Sequence, residues 1–440
     1  EQINKVTSFV DLSVLYGSDS RRAHALRANR LGMMRSHLAR DVSSGKMVEY
    51  PPLNVNPNVP NDDPLGRGQD HLFACGDVRA NIQPGLLAMH TLWLREHNFI
   101  ARALIRTLAL EMDLPDSECA WCEMDVLERI SSNLGITNTS VFDELLFQET
   151  RRILIAEFQH VTYNEYLPAL FGRTLFSDDD VVYDEHVHAS VSNTFATAAM
   201  RFGHTQVQNT IARVHANGTE MSKPLKLREA YFATSSDVIE RFGGLDSMLR
   251  AMLTDTSIVS SDENLCDEDA SRPCVSDDVR EFLFGSDQRI LRKDHKKRRR
   301  TGTDLIALNI QRGRDHGLPD YNFVLKSLGF TPLSTFTDMS TTSVSQQDTL
   351  SRLYKQDVDN IDLYVGLSLE RKETLSHIGP LTERILENQF RDLKSSDRFF
   401  YTNEFTEEQC NRMESMKSIM ERNTAIGSIK IKEKNSLFFI

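Results

Sequence analysis

Three observations predict a mainly α-helical protein. Apolar residues recur at helical spacing through long segments that lack Gly and Pro. Runs with two-residue alternation are few and short. No Pro- or Gly-rich linker separates two self-contained halves, so the expectation is one large domain with few short strands and long loop insertions.

The longest helix is expected over 86–110. Leu86, Met89, Leu92, Trp93, Ile100, Leu104 and Leu108 mark its apolar positions, and Pro84 and Gly85 punctuate its start. A second is expected over 142–161, ending before Pro168. A third, over 190–203, carries His204 at its C-terminal end. Further helices are expected near 226–253, 276–286, 319–328, 348–355, 380–391 and 406–421. Loops are read at 50–69, rich in Pro, Asn and Asp, and at 331–347, rich in Ser and Thr. The basic run 292–300, RKDHKKRRR, is read as a solvated insertion, a basic-specific processing site or a patch for acidic glycans of an extracellular matrix.

The chain has 440 residues, 40% apolar and 26% charged, which is ample material for a core. A net charge of −12 argues against a general nucleic-acid binder. No apolar run is long enough to span a bilayer. The chain opens on Glu1-Gln2 rather than Met and is expected to be a fragment or a processed piece. Cys266 and Cys274 flank an acidic loop that a disulfide would close. Cys119 and Cys122 form a Cys-x-x-Cys without a thioredoxin-like surround. The sequons at Asn138 and Asn217 fit a secreted glycoprotein.

The chemistry lies in three segments. The first is Phe195-Ala-Thr-Ala-Ala-Met-Arg201-Phe-Gly-His204-Thr. The second is Leu308-Asn309-Ile-Gln-Arg312-Gly-Arg-Asp-His-Gly. The third is Gly76-Asp77-Val-Arg79, ahead of Met89-His-Thr-Leu-Trp-Leu-Arg-Glu-His-Asn98. An imidazole, an amide able to orient it and several guanidinium groups are the parts of a haem pocket. Each motif alone is weak. In order and wording together they resemble the animal haem peroxidases, over nearly the whole chain.

The resemblance implies a large helical haem-peroxidase domain over 1–440, N-terminally incomplete, with insertions at 112–141, 255–275 and 292–303. It implies a b-type haem whose iron takes His204 as proximal ligand, oriented by Asn309. Arg201 and Arg312 become partners of the haem carboxylates, and Arg79 the distal arginine. The family's distal histidine would lie upstream of residue 1. The implied reaction is hydrogen peroxide-driven oxidation of a halide, phenol or other small reductant, in an extracellular protein that responds to oxidative stress. Thr7-Ser-Phe9-Val-Asp11-Leu-Ser13, followed by Tyr16-Gly-Ser, resembles the family's calcium loop, with Thr7, Phe9, Asp11 and Ser13 as ligands.

One departure stands out. Three residues after Arg79, where the family often has a haem-esterifying glutamate, this chain has Ile82, and Gln83 replaces the methionine of myeloperoxidase. Two rival readings therefore stay open: a peroxidase-like matrix or adhesion protein without turnover, and a lipid oxygenase of the cyclooxygenase kind.

Overall fold

A computed structural model describes residues 3–55, 57–112, 124–136, 138–176, 181–254, 275, 277–280, 283, 303–339, 342–371 and 376–425. The four cysteines at 119, 122, 266 and 274, the basic run 292–300 and most of the three expected insertions lie outside the described residues.

The architecture is helical, with two short antiparallel hairpins. Strands β1 (His37–Arg40) and β2 (Met47–Tyr50) pair with His37 opposite Tyr50 and Arg40 opposite Met47. Strands β3 (Thr210–Ile211) and β4 (Leu225–Lys226) pair Ile211 with Leu225.

Helix α1 (Pro84–Glu111) is the axis of the molecule. Pro84 suits its first turn because the N–H it lacks would have no helical partner there, and the Gln83 side chain accepts from Gly85 N. Every residue from His90 to Asn98 is buried, so the helix runs through the interior rather than along it. The segment includes Arg95-Glu-His-Asn98, whose polar groups are costly to bury unpaired. Each has a partner. Arg95 pairs with Asp246 at 2.7 Å, and Glu96 receives both Arg422 and Asn423. His97 lies between the Tyr16 hydroxyl and the Gly32 carbonyl, each at 2.9 Å. Asn98 exchanges hydrogen bonds with the backbone of Met34.

Helix α2 (Thr139–Val161) packs along α1 and is capped by Asn138, whose side chain accepts from Ser140 N. The α-helix stops at Val161, before Pro168, as expected, but the chain does not leave helical winding there. One wide π turn, Thr162–Tyr166, leads into a further helical turn, Leu167–Phe171, which places Pro168 at a helix start.

Helix α3 (Leu245–Leu253) occupies only the end of the segment expected to be helical from 226 to 253. Leu227–Ala230 forms one turn, Phe232 takes a φ of 48°, and Gly243 and Gly244 have φ of 84° and 77°. Two successive left-handed glycines end any helix. Of the helix expected over 276–286, the single turn Asp277–Arg280 is described.

Helix α4 (Leu305–Asp315) carries Asn309 and is capped by Asp304. A short helix at Tyr321–Ser327 follows. The helix Val344–Leu353 starts inside the expected Ser/Thr-rich loop because Ser343 and Gln346 form a capping box. Helices α5 (Leu363–Ser368), α6 (Pro380–Ser396) and α7 (Met416–Asn423) complete the set. The helix expected over 406–421 is divided into Glu407–Cys410 and α7, the second with its own Ser415 cap.

Two principal cores result. One surrounds α1 and takes Leu92, Trp93, Leu154, Met248 and Leu249, closed by Met416, Ile419 and Met420 of α7. The other gathers Tyr163, Phe171, Phe195, Tyr321, Ile361, Leu386 and Phe400. Phe202 and Ile310 pack against this second core. The fold thus delivers the His204 and Asn309 segments to the same place.

Candidate haem site

His204 does not end an α-helix. Asn193–Thr197 forms one short helix, and Ala198 breaks it with φ −131° and ψ −71°. The chain then continues as a 3-10 segment, Ala199–Gln206, which holds Arg201 and His204. Ala198 and Ala199 are buried against the second core, and the tighter 3-10 winding turns the side chains after them.

Asn309 projects from the middle of α4 and is fully buried. Its helix is tied down at its C-terminal end. Arg314 pairs bidentately with Asp362 at 2.8–2.9 Å, and His316 Nδ1 lies 3.1 Å from the Asn193 side-chain oxygen. The second contact links the end of α4 directly to the segment that leads to His204.

The structure brings together His204, Asn309 and Arg201. Asn309 Nδ2 lies 3.0 Å from His204 Nδ1, and Arg201 Nη1 donates to Asn309 Oδ1. Among the described residues His204 Nε2 has no hydrogen-bond partner. Burial, and after it the positive charge of Arg201, lower the His204 pKa to about 4. Its imidazole is therefore neutral near pH ~7, as a metal ligand must be. Burial also lowers the pKa of Arg201, and the neighbouring Arg312 lowers it further. Arg312 itself is exposed, and Arg201 Nε is buried without a partner.

These groups fit a haem. A neutral imidazole with a free nitrogen suits the iron. Two adjacent guanidinium groups that oppose one another, one with an orphaned N–H, form a site for carboxylates.

Arg79 lies in the turn ahead of α1. Its guanidinium is clamped by Asp77, with Nε 3.0 Å and Nη2 2.8 Å from the carboxylate oxygens, and the side chain is 60% exposed. The clamp has a local cause. Asp77 Oδ1 also accepts from Arg79 N at 2.7 Å, so the turn folds the two side chains together. Gly76 is required just before them, because a Cβ there would stand 2.5 Å from the Val14 and Leu15 carbonyls.

The Arg79 and His204 segments converge through a small apolar cluster. Ile82 packs with Val207, Ile211, Leu227 and Phe232, and Phe232 N donates to the Ile82 carbonyl. Ile82 thus sits among hydrocarbon neighbours. A pocket of about 180 Å³ lies beside it, reached by Gln83 on one side and Gln206 and Val207 on the other.

In the Thr7–Ser13 loop, Thr7 Oγ1 accepts from Phe9 N and Asp11 Oδ1 accepts from Ser13 N. Among the described residues no three His, Cys, Asp or Glu side chains gather as a metal-binding group. The loop lies beside buried Asp397, whose pKa is raised by burial and further by Asp11.

Sequence reasoning missed Tyr364. Its phenol lies against the Asn309 amide and near Arg201. No motif marks it; the segment around it reads only as an amphipathic turn. It also missed His90, which is buried beside Asp77 and Arg79 with Nδ1 unpaired.

Among solved structures, the chain resembles Peroxidase A from Dictyostelium discoideum, with a TM-score of 0.75 and 31% identity over 99% of this chain and 72% of that one. It also resembles the fatty acid alpha-dioxygenase of Arabidopsis thaliana, with a TM-score of 0.58 at 18% identity over 98% of this chain and 66% of that one, a likeness of fold alone. The fold is that of the haem peroxidases. Residues 1–435 match the family model "Animal haem peroxidase", and the chain belongs to that family. It is 34% identical to Peroxinectin A of Dictyostelium discoideum over 91% of this chain and 63% of that protein. It is 32% identical to the human Peroxidasin homolog over 92% of this chain and 24% of that protein. The chain thus spans less than two thirds of the length of these curated relatives. No described helix is long and apolar enough to cross a membrane.

Proposed function

We propose that this chain forms the larger part of a peroxidase that uses hydrogen peroxide to oxidise a halide, phenol or other small reductant. The observation that carries the reading is the His204–Asn309–Arg201 group, half-buried around a fully buried Asn309, with one imidazole nitrogen free and a guanidinium at its side. His204 would hold the iron of a b-type haem, and Asn309 would set the plane of the ring. Arg201 and Arg312 would pair with the haem carboxylates. The bound haem supplies the redox chemistry toward peroxide.

Arg79 would stabilise negative charge on the departing oxygen. Asp77 fixes its plane but also competes for its N–H groups. Guanidinium stays protonated, so the base that accepts the peroxide proton is a residue other than Arg79. With haem content unchanged, Arg79→Gln in the full-length protein should slow peroxide-dependent oxidation of iodide or a phenol by about 10²- to 10³-fold. Wild-type rates in that variant would remove Arg79 from the mechanism, and absence of turnover in the wild type would favour the matrix-protein reading.

Calcium belongs to the same proposal, with Thr7, Phe9, Asp11 and Ser13 as ligands. A cation at Asp11 would relieve its repulsion with Asp397. Asp11→Ala should lose the ion and lower the melting temperature. Elemental analysis finding no calcium in the intact full-length protein would contradict the assignment.

An extracellular location also belongs to this reading. Asn217 is exposed in a turn, where Thr219 N and Oγ1 donate to its side-chain oxygen. Asn138 is exposed as well, and its oxygen caps α2. A glycan on either amide nitrogen would leave these oxygens in place.

A further inference from the structure

We propose that Arg201 is a positioning residue that sets the tautomer of His204 in the haem-free protein, by holding the Asn309 amide with its oxygen turned away from the ring. This rests on the reading of His204 as the iron ligand, but it concerns the chain before haem arrives.

The argument uses only donor and acceptor capacity. A guanidinium donates and never accepts, so the Asn309 atom that faces Arg201 is the oxygen. The amide nitrogen therefore faces His204 Nδ1, at 3.0 Å. An amide NH2 also only donates, so Nδ1 must carry the lone pair. The ring hydrogen is then on Nε2. An imidazolium is excluded by the same geometry, because its Nδ1–H would point at the amide hydrogens.

Ligation through Nε2 needs the opposite tautomer. The proton must leave Nε2 as the metal bond forms, and Nδ1 must take one up from water, so the ring stays neutral throughout. The new Nδ1–H requires an oxygen in front of it, and the Asn309 amide has to turn. Turning aims the NH2 at Arg201, donor against donor, so Arg201 has to leave first.

Two features prepare that exchange. Arg201 is an uneasy tenant: its Nε is buried and unpartnered, and Arg312 lies close to it. A carboxylate beside the two guanidinium groups would draw Arg201 off the amide. The Tyr364 phenol, its pKa raised by burial, already takes a hydrogen bond from Asn309 that works in the lowering direction, and its hydroxyl can swing to donate to the amide oxygen once the amide has turned. Arrival of the haem carboxylates and readiness of the histidine are thus coupled through one side chain.

The test is nitrogen-15 NMR of the imidazole in full-length protein expressed without a haem supply. His204 should be the Nε2–H tautomer. Arg201→Met should shift the ratio of Nε2–H to Nδ1–H by at least about tenfold toward Nδ1–H, the loss of one hydrogen bond of ordinary strength. Arg201→Lys, which also only donates, should keep the wild-type tautomer. Stopped-flow haem capture should be faster in Arg201→Met than in the wild type, and release faster too, because a carboxylate partner is gone. Nδ1–H in the wild type overturns the proposal, as does an unchanged tautomer ratio in Arg201→Met. The wild-type spectrum decides even if the variant fails to fold. Failure of the ligand assignment would instead show as unchanged haem binding in His204→Ala, whatever the tautomer.

Discussion

Replacing His204 with alanine in the full-length protein should reduce its haem content to background and abolish the Soret band. Among the described residues His204 combines a neutral, half-buried ring, the Asn309 amide on Nδ1 and no hydrogen-bond partner on Nε2. Without it the iron would have no proximal nitrogen, and carboxylate contacts of the kind proposed for Arg201 and Arg312 would not hold an uncoordinated macrocycle tightly. Asn309→Ala should act differently. It keeps the ligand but releases its orientation, so haem should remain with affinity lower by about 10- to 100-fold and with an altered reduction potential. Absorbance and extracted haem report both effects, with circular dichroism to show that the variants fold. An unchanged Soret band and haem content in His204→Ala would reject the ligand assignment.

Arg250→Met should destabilise the fold by about 3–5 kcal/mol, the usual cost of leaving one member of a buried pair alone. Arg250 and Asp41 are both fully buried, 3.2 Å apart. The same guanidinium donates to the Val214 and Ala425 carbonyls, each at 2.9 Å. It therefore joins α3, the turn of the first hairpin, the segment after β3 and the end of the described chain. Removing it leaves the Asp41 carboxylate in the interior with only the Ser44 N–H. The double variant Asp41→Leu, Arg250→Met should recover much of the loss, because no buried charge remains. Urea unfolding of the wild type, Arg250→Met and the double variant measures this directly. Equal midpoints for the wild type and Arg250→Met would mean that the pair contributes nothing.

The long helices were legible because their information is local. Pro84 and the apolar spacing after it place α1 within a residue or two of its observed ends. The errors lie where tertiary packing overrides local pattern. Ala198-Ala-Met200 has good helix formers, but burial against the second core breaks the helix there and winds His204 into a 3-10 segment. Phe232 and the paired Gly243-Gly244 divide what reads as one helix, and only the glycines announce it. The end of α2 ahead of Pro168 was legible, but the π turn that continues from it was not.

The site was legible through wording rather than periodicity. His204, Arg201 and Asn309 are more than a hundred residues apart at their extremes and share no pattern in one helix. The structure adds their contact, and it adds Tyr364, which belongs to a third segment. The clamp of Arg79 to Asp77 was not legible, because it depends on the backbone of the turn.

Helix α7 has a consequence for how the protein is made. Its Met416, Ile419 and Met420 complete the core that Leu12, Leu15 and Leu92 begin, and Arg422 reaches Glu96 across 326 positions of sequence. A ribosome adding about 5–20 residues per second needs on the order of half a minute to cover that interval. For that time the nascent chain exposes the apolar side of α1 and the unpaired Glu96. Folding of this half therefore waits on the synthesis of α7, and the unfinished surface needs shielding until then. A message truncated ahead of Met416 should yield a chain that never closes this core and is degraded before haem can be inserted.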